Sequence, residues 1–401
     1  MLLTMKEKNK TEAIQLVMDG TIEVNEAGRV LNRSMRQIYR MLKRLREIGL
    51  KGLRHGNKGK KSPRKIKRSI REKIVTLVKG KLANINDTHL MEILLREEKI
   101  KIGRETLRTL LREENIPPKL KRRPVKHRSR RERKEAFGMM LQMDGSPHDW
   151  LEGRGPRLTL IGAKDDATSF VWARFEDTET TWGYMELMRE IALSEGLPMS
   201  LYSDRHMIFH SPKEPTIVEQ INNLRSRTQF GRAMEELGIT LIKAWSAPAK
   251  GRIENQWKTF QDRLVVELRL AGVKTKEEAN LFLKKFLEEY NHRFIVTPKN
   301  QQAVFRQPPT ASKLDRILCL KEKRTVAKDH TISFEGLVLQ IPPSKTYYHS
   351  IARQKVWVLQ LKDGSVEIVY KEQAVARFNP EVINRLVDKN KNDKSQLKKV
   401  A

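Results

Sequence analysis

Three acidic residues in the middle of the chain could act together in metal-dependent chemistry. Asp144 lies in Leu-Gln-Met-Asp-Gly-Ser, where a strand pattern would normally place an apolar residue, and Asp204 ends a second strand pattern in Leu-Tyr-Ser-Asp. Glu254 follows a Pro and a Gly at the start of a predicted helix. Close carboxylates repel unless a cation joins them, and hard oxygen ligands select Mg²⁺ or Mn²⁺. The three acids therefore predict a site that can hold two such ions.

The elements around these acids must bring them together. After Phe137 the pattern predicts three strands, a helix, a strand, a helix, a strand and then long helices. The predicted ranges are 139–145, 157–164, 168–175, 181–195, 199–203, 228–237, 239–243 and about 250 onward. This is the element order of an RNase H-like α/β core, in which the first and fourth strands pair. Asp144 and Asp204 are then side by side, and the long helix can lay Glu254 over the strand ends.

Other acidic and metal-ligating residues in this region have simpler interpretations. Asp149, Asp165 and Asp166 could compete for the first catalytic position, but Asp165-Asp166 precedes Ala-Thr at an apparent hairpin turn. Asp is expected there for turn chemistry alone, so we assign all three to turn or surface roles. His206 and His210 are four apart, which suits a metal site on a helix, but no third ligand is evident. A surface or DNA-contact role is favoured for both, although His206 could assist the site.

Three tryptophans lie near these acids in the sequence. Trp150, Trp245 and Trp257 could stack on DNA bases or fill the core. Of the two interpretations, the core is favoured for each.

The positive charge of the chain is concentrated at its two ends. The 401 residues include 80 Lys and Arg against 49 Asp and Glu, a net charge of +31. Residues 1–140 carry +23, residues 141–310 carry zero and residues 311–401 carry +8. A neutral catalytic core flanked by two DNA-gripping modules would show this distribution, and generic solubilising charge is the alternative.

Two groups of three helical patterns in the basic N-terminal third predict tandem helix-turn-helix units. In the first, which stops at Gly49, Ser34 can cap the third helix. The second ends at Ile116-Pro-Pro, and its helical patterns cover 69–79, 87–98 and 103–114. The last helix of each unit carries basic residues around an apolar stripe, as in a helix that enters a major groove. A helical hairpin with a solvated basic face is the alternative.

Two basic stretches, 51–68 and 119–137, link these units to each other and to the core. The first could lie along DNA phosphates or in a minor groove. The second is either a linker that follows a DNA backbone or a merely solvated connector. The DNA-binding residues predicted in helices and linkers are Arg36, Arg40, Lys43, Arg44, Arg54, Lys58, Lys60, Lys61, Arg104, Arg108, Arg112, Arg122, Arg123, Arg128, Arg130 and Arg131.

The complete pattern predicts a multidomain protein that ends in a small β-barrel. Short alternating runs after Val326 indicate four or five strands, and a Lys- and Asn-rich tail follows. The predicted domains are a helix-turn-helix unit (1–50), a basic linker (51–68), a second unit (69–118), a basic linker (119–137), the catalytic core with a helical extension (138–306), a linker (307–325), the barrel (326–380) and a basic tail (381–401). A single cysteine and no long apolar run favour a cytoplasmic protein without a membrane partner.

Specific motifs resemble a known family. Asp144-Gly-Ser-x-x-x-Trp150, Ser203-Asp204-Arg-His and Gly251-Arg-Ile-Glu254 with a following Gln261-Asp-Arg-Leu are similar to ISNCY-type insertion-sequence transposases. Those belong to the superfamily of DDE transposases and retroviral integrases. Many relatives place a Lys or Arg seven residues after the glutamate, where this chain has Gln261. Lys258 or Arg263 could substitute as site support.

The resemblance implies a fold and an activity for the whole chain. Asp144, Asp204 and Glu254 would be a catalytic triad that binds two Mg²⁺ or Mn²⁺ ions, and the C-terminal module would be SH3-like. The implied activity is cleavage of double-stranded DNA at the element's ends and strand transfer into target DNA, by at least a dimer on DNA. A non-catalytic or domesticated DNA-binding regulator, and an RNase H-type nuclease without strand transfer, are the alternatives.

Overall fold

The protein is described by a computed structural model. Its described residues are 5–53, 66–120, 124, 131–204, 206–210, 227–243, 247–343 and 350–387. The chain divides into two compact units, residues 1–76 and residues 77–401. Among the helices in the described ranges, none has the length and apolarity needed to cross a membrane.

The first unit contains the three helices that the N-terminal pattern predicts. They are α1 (Met5–Met18), α2 (Val24–Leu31) and α3 (Met35–Ile48), followed by a 3₁₀ turn at Gly49–Leu53. Apolar residues of all three helices, among them Ile14, Ala27 and Ile38, form one buried core. The predicted cap is present: the Ser34 hydroxyl accepts from the Gln37 N–H, and the Gln37 side chain accepts from the Ser34 N–H.

Three further helices follow, as the sequence predicts. They are α4 (Arg68–Lys79), α5 (Asp87–Glu98) and α6 (Arg104–Glu113). In the second unit, α6 is held to α5 by an ion pair of 2.6 Å between Arg112 and Asp87. Arg112 also donates to the Ile116 carbonyl at 2.9 Å. The two bonds give Arg112 a role within the helical unit, where the sequence predicted a DNA contact.

The centre of the second unit is a five-stranded sheet in the order β3-β2-β1-β4-β5. Its strands are β1 (Leu141–His148), β2 (Leu158–Asp165), β3 (Val171–Glu176), β4 (Ser200–Ser203) and β5 (Thr240–Lys243). The first three are antiparallel, and β4 pairs in parallel with β1 and β5. The predicted RNase H-like element order, with the first and fourth strands adjacent, is therefore confirmed.

Helices cover both faces of this sheet. One face packs on α7 (Thr181–Ser194), α8 (Gln229–Glu236) and α11 (Ala311–Ile317), and the other packs on α9 (Ala247–Leu270) and α10 (Lys276–Phe294). Alternation along the strands decides which residue faces which layer. Ile161 and Ala163 of β2 lie in the first core, whereas Leu158 and Leu160 lie in the second.

The C-terminal strands form two open sheets in the described residues, and the predicted closed barrel is not seen. A four-stranded sheet has the order β11-β10-β9-β6, and β7 pairs only with β8. The strands are β6 (Leu320–Thr325), β7 (Thr331–Phe334), β8 (Leu337–Gln340), β9 (Lys355–Gln360), β10 (Val366–Tyr370) and β11 (Gln373–Phe378). One apolar core joins both sheets through face packing, so burial is achieved without pairing the edge strands.

Candidate active site

Asp144 and Asp204 lie on adjacent parallel strands. The register of β1 and β4 pairs Leu141 with Leu201 and Gln142 with Tyr202. If this pairing is continued by two residues along both strands, Asp144 lies level with Asp204, which directly follows β4. Both side chains are half-buried and accessible from solvent. The structure therefore brings the first two predicted acids to one place on the sheet.

Helix α9 is attached to β1 by a regular series of three hydrogen bonds, which we call the β1–α9 contacts. They are Ile253 N–H to Gln142 Oε1 at 3.2 Å, Trp257 Nε1–H to Asp144 Oδ2 at 3.0 Å and Gln261 Nε2–H to Ser146 Oγ at 3.1 Å. Two residues of strand rise about 6.7 Å and four residues of helix rise about 6 Å. Because these repeats match, each successive residue on one face of β1 meets the next turn of α9.

Gly162 makes the middle contact possible. It lies opposite Asp144 in the β1–β2 pair, and a Cβ atom there would come within 2.4 Å of the Trp257 ring. Without a side chain at this position, the indole can lie against the sheet and its N–H donates to the carboxylate. Trp257 is buried, as the sequence predicts for a core residue. It also contacts the candidate site, because its indole N–H donates to Asp144.

Glu254 lies between the first two β1–α9 contacts in the sequence of α9. Its neighbours Ile253 and Trp257 are held to β1, while its own side chain is exposed. Among the described residues, no group of three His, Cys, Asp or Glu side chains is arranged to hold a metal ion. The third acid is therefore on the helix that touches Asp144, but it does not form a ligand cluster with the two aspartates.

Two further residues near the aspartates escape sequence analysis. Glu179 precedes α7, and its carboxylate carbon would lie 2.9 Å from a Cβ atom at Gly145, next to Asp144. The buried Tyr184 hydroxyl donates to Glu179 Oε1 at 2.5 Å. Burial, and then the charges of Glu179, Asp144 and Asp204, raise the pKa of Tyr184 well above its ordinary value. Tyr184 is therefore a neutral hydrogen-bond donor among acids, and no sequence spacing marks it.

The three residues predicted to support the site differ from one another in their surroundings. Arg263 forms an ion pair of 2.6 Å with Glu92 of α5, which engages its guanidinium. Lys258 is exposed on α9. His206 is exposed, and its backbone N–H donates to Asp204 Oδ1 at 3.0 Å, so its main chain touches the site.

Asp166 corrects an expectation from the sequence, which assigned it to a turn or the surface. Its side chain is fully buried at the end of β2 and accepts hydrogen bonds from Arg131, Gln142 and Arg252. Asp165 beside it is also buried and accepts from the Gly138 and Thr168 N–H groups. The short Asp-Asp-Ala-Thr segment is a turn, but its carboxylates accept hydrogen bonds from residues that are distant in sequence.

The predicted DNA-binding residues of α3 and α6 are on solvent-exposed faces. Arg36, Arg40, Lys43 and Arg44 are all exposed on α3. On α6, Arg104 and Arg108 are exposed and lie 3.2 and 3.6 Å from Glu105. Arg131 is half-exposed and pairs with Asp166 at 2.5 Å. The predicted residues that lie outside the described ranges are Arg54, Lys58, Lys60, Lys61, Arg122, Arg123, Arg128 and Arg130.

Comparison with known proteins decides the family. Residues 10–72 match a family model described as a winged helix-turn helix. A putative transposase, y4bF of Sinorhizobium fredii, is 34% identical over 374 residues, which span 92% of this chain and 80% of that protein. This chain belongs to the transposase family. The transposase for insertion sequence IS1202 of Streptococcus pneumoniae is 29% identical over 90% of this chain and 84% of that protein.

Solved structures similar to this transposase include the catalytic core domain of HTLV-2 integrase in complex with magnesium. The similarity has a TM-score of 0.31 at 14% identity, and it covers 42% of this chain and 94% of that chain.

Proposed function

We propose that this transposase cuts and joins DNA at the ends of its own insertion sequence, with Asp144, Asp204 and Glu254 as its catalytic triad. The observation that carries the proposal is the register of β1 and β4, which brings two half-buried carboxylates level on adjacent strands. Both side chains are accessible from solvent, and the helix that bears Glu254 is bonded to Asp144.

In this proposal Asp144, Asp204 and Glu254 would hold two Mg²⁺ or Mn²⁺ ions. Carboxylate oxygens are the ligands that these hard cations prefer, and solvent can reach both aspartates. When bound, the ions lower the pKa of an attacking water and neutralise charge on the entering and leaving oxygens. The chain's own residues prepare the ligands: Trp257 orients one oxygen of Asp144, and the His206 N–H orients one oxygen of Asp204.

The proposed reaction has two phosphoryl transfer steps at this one site. In the first, water attacks the phosphodiester at the element's end and releases a 3′-OH. In the second, this 3′-OH attacks a target phosphodiester, and the bond to the target's own 3′ oxygen breaks. Both steps need the attacking and leaving oxygens in line, which requires the acids to be held rigidly.

DNA binding is proposed for the basic faces outside the core. The capped helix α3 offers Arg36, Arg40, Lys43 and Arg44 to a major groove, and Arg104 and Arg108 of α6 offer a second contact. Because the two ends of an element are processed together, we propose at least a dimer on double-stranded end and target DNA.

The test is incubation of the full chain with labelled element-end DNA, target DNA and Mg²⁺. We expect a cleaved 3′ end and a joined product, both lost in Asp144→Asn. Specific binding without cleavage would identify a DNA-binding regulator. Mg²⁺-dependent cleavage without joining would identify a nuclease. Either result would overturn the transposition reaction proposed for this site.

A further inference from the structure

The carboxylate of Asp166 is a junction between three separate parts of the core. Its Oδ1 accepts from Gln142 Nε2 of β1 at 2.9 Å and from Arg131 Nη2 at 2.5 Å. The same atom accepts from Arg252 Nη1 of α9. Its Oδ2 accepts from the Lys134 N–H at 2.8 Å. One fully buried side chain thus holds the segment that enters the core, the central strand and the start of α9.

The bonds around this junction converge on the two residues before Glu254. Arg252 binds Asp166 and also donates to the Arg131 carbonyl at 2.6 Å. Gln142, fixed by Asp166 through its Nε2, accepts the Ile253 N–H at its Oε1. Because residues 252 and 253 are both held, the helical turn that carries Glu254 has a defined position above the sheet.

We propose that Asp166 is a positioning residue that sets the place of Glu254 relative to Asp144 and Asp204. This inference rests on the proposed function of the three acids. Asp166 itself is fully buried and already accepts four hydrogen bonds, so it does not touch DNA or metal. It acts through Arg252 and Gln142, and loss of either link releases the start of α9 from the sheet.

The charge state of the junction supports this role. Burial raises the pKa of Asp166, but the hydrogen bonds from the Lys134 N–H, Arg131 and Arg252 outweigh it and keep the pKa below its ordinary value. The carboxylate is therefore ionised at neutral pH, as a partner for two arginines must be.

Two arginines on the same carboxylate provide a matched pair of variants. Arg252→Ala removes the bond between Asp166 and α9. Arg131→Ala removes the bond between Asp166 and the segment before β1, but the backbone carbonyl of residue 131 can still accept from Arg252. A merely structural role for Asp166 predicts similar effects from both. A positioning role predicts that Arg252→Ala displaces α9 and that Arg131→Ala does not. Asp166→Asn, which keeps the shape but removes the charge, should behave as Arg252→Ala does.

The first readout is a distance measured in the full chain without metal or DNA. Spin labels are placed at Asn255→Cys on α9 and at Leu193→Cys on α7, both of which are exposed. Burial raises the pKa of the native Cys319 thiol to about 11, so the label reacts with the introduced cysteines first. We expect one narrow distance distribution in the parent protein and in Arg131→Ala, and a broadened or shifted one in Arg252→Ala and Asp166→Asn.

The second readout is single-turnover cleavage of end DNA by unlabelled proteins. The rate at saturating DNA should fall by about 10²-fold in Arg252→Ala, because a misplaced catalytic group costs about this much, while the Kd for end DNA is unchanged. Equal broadening in both arginine variants, or an unchanged distribution in Arg252→Ala, would overturn the positioning role. If the parent protein does not cleave, the proposed function fails, and the distances alone decide the role of Asp166.

Discussion

The indole N–H of Trp257 donates to the carboxylate of Asp144 at 3.0 Å, three residues after Glu254 on the same helix. This bond ties the helix of the third acid directly to the first acid. Catalytic carboxylates gain from such a bond because a fixed oxygen needs no reorganisation when a ligand or substrate arrives.

Trp257→Phe should slow end cleavage while the protein stays folded. Phenylalanine keeps an aromatic ring over Gly162 but loses the N–H, and a hydrogen bond to a charged acceptor contributes about 1.5–3 kcal/mol. We expect the cleavage rate to fall by about 10-fold or more at saturating DNA. Trp150→Phe is the control, because Trp150 is buried and donates to the Ser146 carbonyl at 3.1 Å. It should lower the melting temperature without a selective rate loss; equal rate losses in both variants would argue against the Asp144 bond.

The three proposed catalytic acids should each be required for cleavage and joining. Asp144→Asn, Asp204→Asn and Glu254→Gln keep the shape of the side chain but remove a charge that a metal ligand needs. We expect activity to fall by orders of magnitude in each, with end-DNA binding retained. Asp149→Asn is the matched control, because Asp149 caps a turn through the Gly153 N–H at 3.1 Å. Mg²⁺-dependent cleavage close to the normal rate in any one of the three would remove that residue from the triad.

The sequence predicts the sheet and its first two acids because both follow from local patterns. Alternating apolar residues define the strands, and their order specifies the pairing of β1 with β4. Asp144 is conspicuous because it lies where apolar residues would normally fill a central strand. Its partner Asp204 follows from the order of elements alone.

The residues that sequence analysis misses depend on contacts between distant segments. Asp166 lies in a typical turn sequence, and its arginine partners are 35 and 86 residues away. By sequence, Arg263 could substitute for the basic residue that many relatives have at the position of Gln261, but it forms an ion pair with Glu92 of α5. Five of the six C-terminal strands lie in the predicted range, whereas β6 lies in the predicted linker. Alternation within a strand says nothing about whether the edges of a sheet pair, and in the described residues the expected barrel is two open sheets.

Binding of end DNA should depend steeply on salt and on the exposed face of α3. Each phosphate contact contributes about −0.9 to the slope of log K against log salt, so Arg36→Ala and Arg40→Ala should each make the slope shallower by about that amount. Arg112→Ala is the control, because Arg112 is engaged with Asp87 and should affect stability instead. Filter binding of the full chain from low to moderate salt measures this. An unchanged slope in both α3 variants would exclude these phosphate contacts.

The complex with end DNA should contain two or more chains. Two ends processed together need two active sites, and a closed symmetric dimer is the simplest arrangement that provides them. Light scattering of the full chain with and without end DNA gives the mass of each species. A complex that contains one chain and still joins both ends would contradict the dimer.

The packing of α5 on the core should weaken in acid through Glu92. Its carboxylate is 2.6 Å from both Arg263 of α9 and Arg293 of α10. Burial raises the pKa of Glu92, but the hydrogen bonds from Arg293 and Arg263 outweigh it and lower the pKa to about 2. Because the folded-state pKa is below the ordinary value of 4.5, the ionised Glu92 carboxylate stabilises the fold fully above that pH. Its contribution is lost progressively as the pH falls from 4.5 towards 2.

Glu92→Gln should therefore lower the melting temperature at pH 7. Between about pH 5 and pH 3, where Glu92 begins to bind a proton in the parent protein, the melting temperature of the variant should fall less than that of the parent. The measured quantity is the difference between variant and parent, which removes the effect of acid on the rest of the protein. Glu97→Gln is the control on the same helix, because Glu97 pairs with Lys81 at 3.3 Å and Arg96 at 3.3 Å on the surface. It should keep the parent's dependence on pH. If the melting temperatures of Glu92→Gln and the parent protein fall in parallel across this range, Glu92 does not link α5 to α9 by charge.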